Sequence, residues 1–144
     1  EFPEVFQDPK CVVTTITAER TFWEKATILH QQAHRKTDMP KGYSRHYYDL
    51  FRLSASPFKD KALADLDLLT DVVRFKERFY HSSWARYDLA KPGSFRLLPT
   101  EQGDTELQKD FLAMQPMIFR SPPTWTEIIS GLAKLEAEIN DGTV

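Results

Sequence analysis

Two short stretches hold the residues best suited to chemistry. Glu19-Arg-Thr-Phe-Trp-Glu-Lys25-Ala and, after a polar gap, Ser44-Arg-His-Tyr-Tyr-Asp49-Leu place a lysine, two arginines, an aspartate and several large aromatics in two helical patterns. Lys25 falls at the border of an apolar face. A lysine so placed can cover the core with its stem while its head reaches water, or it can act as a compact point charge toward phosphate oxygens. Asp49 has Arg45 four residues before it, His46 three before and Leu53 four after, so all share one side of a helix. An Arg45–Asp49 surface ion pair is the simplest use of that spacing. A carboxylate held between a basic side chain and an imidazole can also orient a neighbouring lysine, or hold the lysine that meets a triphosphate.

Other groupings carry less. His30 and His34 stand four apart, a spacing that suits zinc on one helical face, but no third ligand or cysteine pair accompanies them. Asp65-Leu66-Asp67 has the form of a magnesium-binding Asp-x-Asp, yet two residues apart in a helix point about 200° away from each other around the axis. Asp67 and Asp71, four apart, could share a site, although a solvated helix face accounts for them. The chain has no P-loop, no Gly-x-Gly-x-x-Gly, no Gly-x-Ser-x-Gly and no zinc-finger spacing. No metal site is assigned to these residues.

The elements that must position these groups are mostly helices. Residues 1–10, with two prolines and mixed charge, read as an extended lead-in, and Cys11 to Thr17 as one short β-branched strand whose partners lie elsewhere. Thr17, or Thr21 with Glu24, can cap a helix whose apolar positions Phe22, Ala26, Leu29 and Ala33 run to about Arg35. Met39-Pro-Lys-Gly42 breaks the chain before a second helix from Tyr43 to about Leu53. Ser56-Pro57 opens a single long helix to about Tyr80, and residues 81–101 form an ordered, aromatic-bearing loop. Asp104 or Thr105 starts a further helix that Pro116 must end. The last helix has a capping box at Thr124 and Glu127, a stripe of Ile128, Leu132, Leu135 and Ile139, and an end at Gly142. The fold class is therefore mainly α with one N-terminal strand, residues 1–18 forming the lead-in and strand and residues 19–144 a helical domain.

The 144 residues suffice for one core, and 41% apolar with 28% charged content is that of a globular protein rather than a disordered one. No apolar run reaches the ~18 residues of a membrane helix, and no signal peptide opens the chain, so a cytoplasmic protein is expected. The lone Cys11 excludes an internal disulfide and reads as a small apolar residue. Residues 19–96 hold 15 Lys or Arg against 10 Asp or Glu, and residues 100–144 hold 3 against 8; a mixed solvated surface is the simplest account of this asymmetry, which is also compatible with a phosphate-rich ligand meeting the front half.

Thr17-Ala-Glu-Arg-Thr-Phe-Trp-Glu-Lys25-Ala, Ser44-Arg-His-Tyr-Tyr-Asp49-Leu and Ser83-Trp-Ala-Arg-Tyr-Asp88-Leu-Ala together resemble the C-terminal half of the AbiEii/AbiGii-type nucleotidyltransferase-like toxin family. The resemblance covers nearly the whole chain. It implies a bacterial toxin of a toxin–antitoxin, phage abortive infection system, with this helical region completing a larger α/β nucleotidyltransferase-like protein. Its partner would be a cognate antitoxin, and some relatives transfer nucleotides to the 3′ end of tRNA. Residue by residue, the resemblance places the family's lysine on Lys25, to contact the triphosphate, and its aspartate on Asp49, to position that lysine or a substrate hydroxyl. Arg20 and Arg45 would contact phosphate or RNA. The family's Gly-Ser loop and metal-binding Asp-x-Asp are absent from residues 1–18. Magnesium would therefore be held by carboxylates upstream, with a nucleoside triphosphate as substrate, and this chain alone is expected to be inactive. A non-catalytic helical module that binds RNA or protein is the alternative.

Overall fold

The computed structural model describes residues 11–119 and 121–142; the expected lead-in over residues 1–10 lies outside them. Six α-helices follow in order: α1 (Ala18–Ala33), α2 (Ser44–Ser54), α3 (Phe58–Ala64), α4 (Leu66–Phe79), α5 (Glu101–Met114) and α6 (Trp125–Asp141). Helix α1 packs on α2, α3 and α4, and α2 continues the assembly to α5 and α6. The two central helices are thus the ones carrying Lys25 and Asp49.

Thr17 starts α1, its hydroxyl accepting the Arg20 N–H at 3.2 Å. Thr21 is not the cap; its hydroxyl donates back to the Thr17 carbonyl at 3.0 Å. The expected stripe is buried, but so are Trp23, Thr27, His30 and Gln32, because neighbours cover α1 on several sides. The polar members are tolerated through hydrogen bonds: the Thr27 hydroxyl donates to the Trp23 carbonyl at 2.9 Å. Phe22, Trp23, Ala26 and Leu29 meet Tyr47 and Leu50 of α2 and, further along the core, Ile128, Leu132 and Leu135 of α6.

The expected strand does not form. Residues 11–17 have no regular structure, and Val12, Val13 and Ile16 are 97%, 69% and 59% exposed. A β-branched run becomes a strand only when another strand takes its backbone bonds, and among the described residues there is none. The long helix after Pro57 is also two helices. Asp65 breaks it at φ −111°, ψ 76°, ending α3 and capping α4 through a 2.9 Å bond from the Leu68 N–H. Helix α5 starts three residues earlier than expected, at Glu101, with Thr100 accepting the Gly103 N–H. Asp104, the expected start, instead accepts the indole N–H of Trp125 at 2.8 Å. Pro116 sits in a 3-10 turn that ends α5, and α6 has the Thr124–Glu127 capping box in full.

Long-range carboxylates and one amide fasten the segments between helices. Helix α2 has no side-chain cap of its own. Asp110 of α5 supplies one, accepting the Gly42 N–H at 2.8 Å, the Ser44 N–H at 3.0 Å and the Ser44 hydroxyl at 2.6 Å. Those three bonds, with the charge of Arg45 beside them, hold the Asp110 carboxyl below its ordinary range against the opposing effect of burial. In the 81–100 segment, two 3-10 turns precede a stretch clamped by α6. Asn140 pairs both backbone groups of Phe95, at 2.8 and 2.9 Å, and Glu136 accepts the N–H groups of Leu97 and Leu98. Phe95 and Leu97 are buried as a result. This segment is ordered and packed, as its aromatics suggest.

Candidate functional site

Lys25 emerges from the border of the buried face of α1, directly opposite the first two turns of α2. Its ammonium donates to Asp49 Oδ2 at 2.8 Å and to His46 Nδ1 at 3.0 Å. His46 and Asp49 are three residues apart on one helix, so both reach the same point. An ammonium has three N–H donors; two are used, and the third has no acceptor among the described residues. The Lys25 side chain is 21% exposed and that of Asp49 41%, so the pair is partly shielded and partly open to solvent.

His46 is the member that makes Lys25 directional. Burial, with the positive charges of Lys25 and Arg45, lowers its pKa to about 4. At neutral pH the ring is therefore uncharged, and Nδ1 is free to accept from the ammonium while Nε2 carries the proton. Tyr43 packs edge-on against the imidazole at 5.1 Å. The spacing before Asp49 pointed to His46 in the sequence, but only as a neighbour of the carboxylate.

The Arg45–Asp49 surface pair does not form among the described ion pairs. Arg45 is exposed, and Asp49 turns to Lys25 across the helix interface instead. Arg20 is one turn before Glu24 and pairs with it at 3.2 Å, while its guanidinium lies 5.8 Å from the Phe75 ring centre. A further cation joins from α4. Lys76 is half-buried, and that desolvation lowers its pKa; the Glu24 carboxylate opposes the effect and the Lys25 charge adds to it. No local pattern in the sequence marks Lys76, because the packing of α4 on α1 brings it there.

The other candidates are structural. His30 is fully buried, with Nε2 bonded to the Arg86 carbonyl at 2.9 Å and Nδ1 accepting the Arg96 N–H at 3.0 Å, so both nitrogens are engaged. Its ring packs on that of His34 at 4.8 Å. The carbonyl it binds belongs to a residue in the left-handed region, Arg86 at φ 50°, ψ 45°, a conformation costing a non-glycine residue about 1–2 kcal/mol. The Arg86 guanidinium in turn forks onto Asp88 at 3.0 Å through each of two nitrogens. The third sequence block thus shapes the turn that receives His30. Asp71 pairs with Arg74. Nor do the described residues make a magnesium site: no three His, Cys, Asp or Glu side chains among them are grouped to hold an ion, and Asp49 is already neutralised by Lys25.

A family model described as nucleotidyl transferase AbiEii toxin, Type IV TA system, matches residues 1–131. The chain belongs to the AbiEii family. No curated protein and no solved structure matches it significantly. Membership makes it a nucleotidyltransferase-like toxin of a toxin–antitoxin system, with a cognate antitoxin as partner. Both paired residues, Lys25 and Asp49, lie inside the AbiEii match. No described helix is long and apolar enough to cross a membrane.

The buried imidazole of His30 and the half-buried one of His46 give the fold a pH dependence. Burial dominates in lowering both His30 and His46 to about 4, below the ordinary value of about 6.5. Between those values the unfolded chain binds protons that the folded chain does not, so this contribution is complete above about pH 6.5 and is lost as pH falls toward 4. The urea midpoint is expected to decline from about pH 7 to about pH 5, and to decline less in a His46→Gln variant. A midpoint flat across that range would contradict the burial argument.

Proposed function

We propose that α1 and α2 form one wall of a nucleoside triphosphate cleft in which Lys25 contacts phosphate oxygens and Asp49 holds Lys25 in place. The observation that carries this reading is the double bond-pairing of the Lys25 ammonium, to Asp49 at 2.8 Å and to the neutral His46 at 3.0 Å. The two acceptors orient a flexible side chain before any ligand arrives, which removes part of the entropy cost of binding. They leave one N–H for an anion. A phosphate oxygen beside the ammonium gains a charge-assisted bond. Arg20 and Arg45, at the edges of the same helices, add positive charge for phosphate or RNA.

The nucleotidyltransferase core upstream would bring the carboxylates for magnesium, whose role when bound is to neutralise the phosphates. The acceptor in this reading is the 3′ end of tRNA, the toxin acts in the cytoplasm during phage infection, and the cognate antitoxin counters it. The test is calorimetric titration of the N-terminally extended protein with each magnesium–nucleoside triphosphate. Saturable binding is expected, weakened about tenfold or more by Lys25→Ala, in line with loss of a charge-assisted bond. Equal affinity in the variant would sink the proposal.

A further inference from the structure

Beside the Lys25 site, the end of α4 exposes an aromatic surface that the core does not use. Phe75, Phe79 and Tyr80 are 40%, 62% and 61% exposed. Their rings nonetheless cluster, with Phe75 4.8 Å from Phe79 and 6.1 Å from Tyr80. Each ring also has a cation against it. Arg20 is 5.8 Å from Phe75, Lys76 5.6 Å from Tyr80 and Arg78 5.4 Å from Phe79.

Three exposed rings with three cations describe a surface for one chemical class. Rings with cations against them suit a partner that offers both flat faces and negative charge. An unpaired nucleic-acid strand offers both complements at a regular spacing: flat bases that stack on aromatic faces and phosphates that pair with Arg and Lys. The charge balance agrees. Arg20, Lys25, Lys76 and Arg78 stand here against Glu24 and Asp49, while Glu77 faces the other way, into a depression with His81, Arg86 and Asp88. The surface is also continuous with the proposed phosphate site, since Arg20 bridges Phe75 to Glu24 and Lys76 feels the charges of Glu24 and Lys25.

We infer that Phe75, Phe79 and Tyr80, with Arg20, Lys76 and Arg78, form a stacking platform for the unpaired end of an RNA strand, leading it toward Lys25. The inference rests on the transfer reading for its purpose, as the acceptor's path, but binding to the platform requires no transfer. Bases would stack on the rings of this cluster, in which Phe75 lies between Phe79 and Tyr80, which makes binding tolerant of sequence and sensitive to salt.

The experiment is fluorescence anisotropy of a labelled single-stranded RNA of about ten nucleotides with the N-terminally extended protein, without nucleoside triphosphate. The wild type is expected to bind, more weakly as salt rises. A Phe79→Ala/Tyr80→Ala variant should bind about tenfold or more weakly, while Phe119→Ala, which removes an exposed ring from the α5–α6 connection, should bind as the wild type does. Unchanged RNA affinity in the double variant overturns the platform. So does a double variant that keeps RNA binding but loses the antitoxin, which would make this face a protein interface. The nucleoside triphosphate titration of the same double variant separates the two readings: it should be unaltered, whereas Lys25→Ala should bind triphosphate about tenfold or more weakly and keep RNA binding that still depends on Phe79 and Tyr80.

Discussion

Growth arrest on induction of the N-terminally extended toxin is expected to disappear when Lys25 is replaced by alanine, and equally when Asp49 is. The two losses have different origins. Lys25→Ala removes the ammonium itself, and with it the group that donates to both His46 and Asp49. Asp49→Ala leaves the ammonium but frees it to rotate about its four-carbon stem, so that phosphate must be met by a disordered charge. Neither change should unfold the protein. The pair is partly exposed, and ion pairs of that kind contribute about 0–1 kcal/mol to stability. Melting temperatures near that of the wild type, together with lost arrest, would place the effect in the site. Lys25→Arg is expected to fail as well, because a planar guanidinium cannot present one compact donor point to two acceptors on adjacent turns. Full growth arrest in both alanine variants would remove the two residues from the mechanism.

Trp23→Ala should have the largest effect on stability. Trp23 is fully buried two residues before Lys25, edge-on to Phe22 at 5.1 Å and against Phe95 at 6.2 Å. Its indole N–H donates to the Ala62 carbonyl at 3.0 Å, tying α1 to the last turn of α3. Truncation opens a cavity among α1, α3 and the clamped 95–98 segment and removes one of the two hydrogen bonds that the Ala62 carbonyl accepts, leaving the one from the Asp65 N–H. The expected cost is about 3–5 kcal/mol, a large share of the ~5–15 kcal/mol that holds a domain of this size. The melting temperature should fall by roughly 10 °C or more. Trp23→Phe, which keeps most of the ring but not the donor, should fall between. A Trp23→Ala variant within about 1 kcal/mol of wild type in urea denaturation would mean that the site collapses around the lost ring.

How much of this was legible in the sequence depended on distance along the chain. The Thr124–Glu127 capping box and the stripe of α6 were legible because both ends of each interaction lie within one or two turns. So was the border position of Lys25. The β-branched run at residues 11–17 misled, because a strand is a relation between two segments and propensity reports on one. Asp65 misled in another way. Its side chain can continue a helix or cap the next one, and the packing of both α3 and α4 against α1 decides for the cap.

The site shows the same division. The third block of the sequence, Ser83 to Leu89, shapes the turn that receives His30. The Arg45–Asp49 pair was the local reading of one helix and is replaced by a partner 24 residues away. Lys76 and the aromatic end of α4 had no marker at all, since nothing in their own spacing records that α4 lies along α1.

By itself, then, the sequence determined the helical class, most helix ends and the residue types available for phosphate chemistry. These follow from 3.6-residue periodicity and capping, which act over a few residues. The tertiary structure alone decided that Asp49 and His46 share the Lys25 ammonium, that Asp110 caps α2 from 66 residues away and that Arg20 lies over Phe75. Each of these depends on which helix faces lie together, and that is set by burying the whole core at once rather than by any one segment.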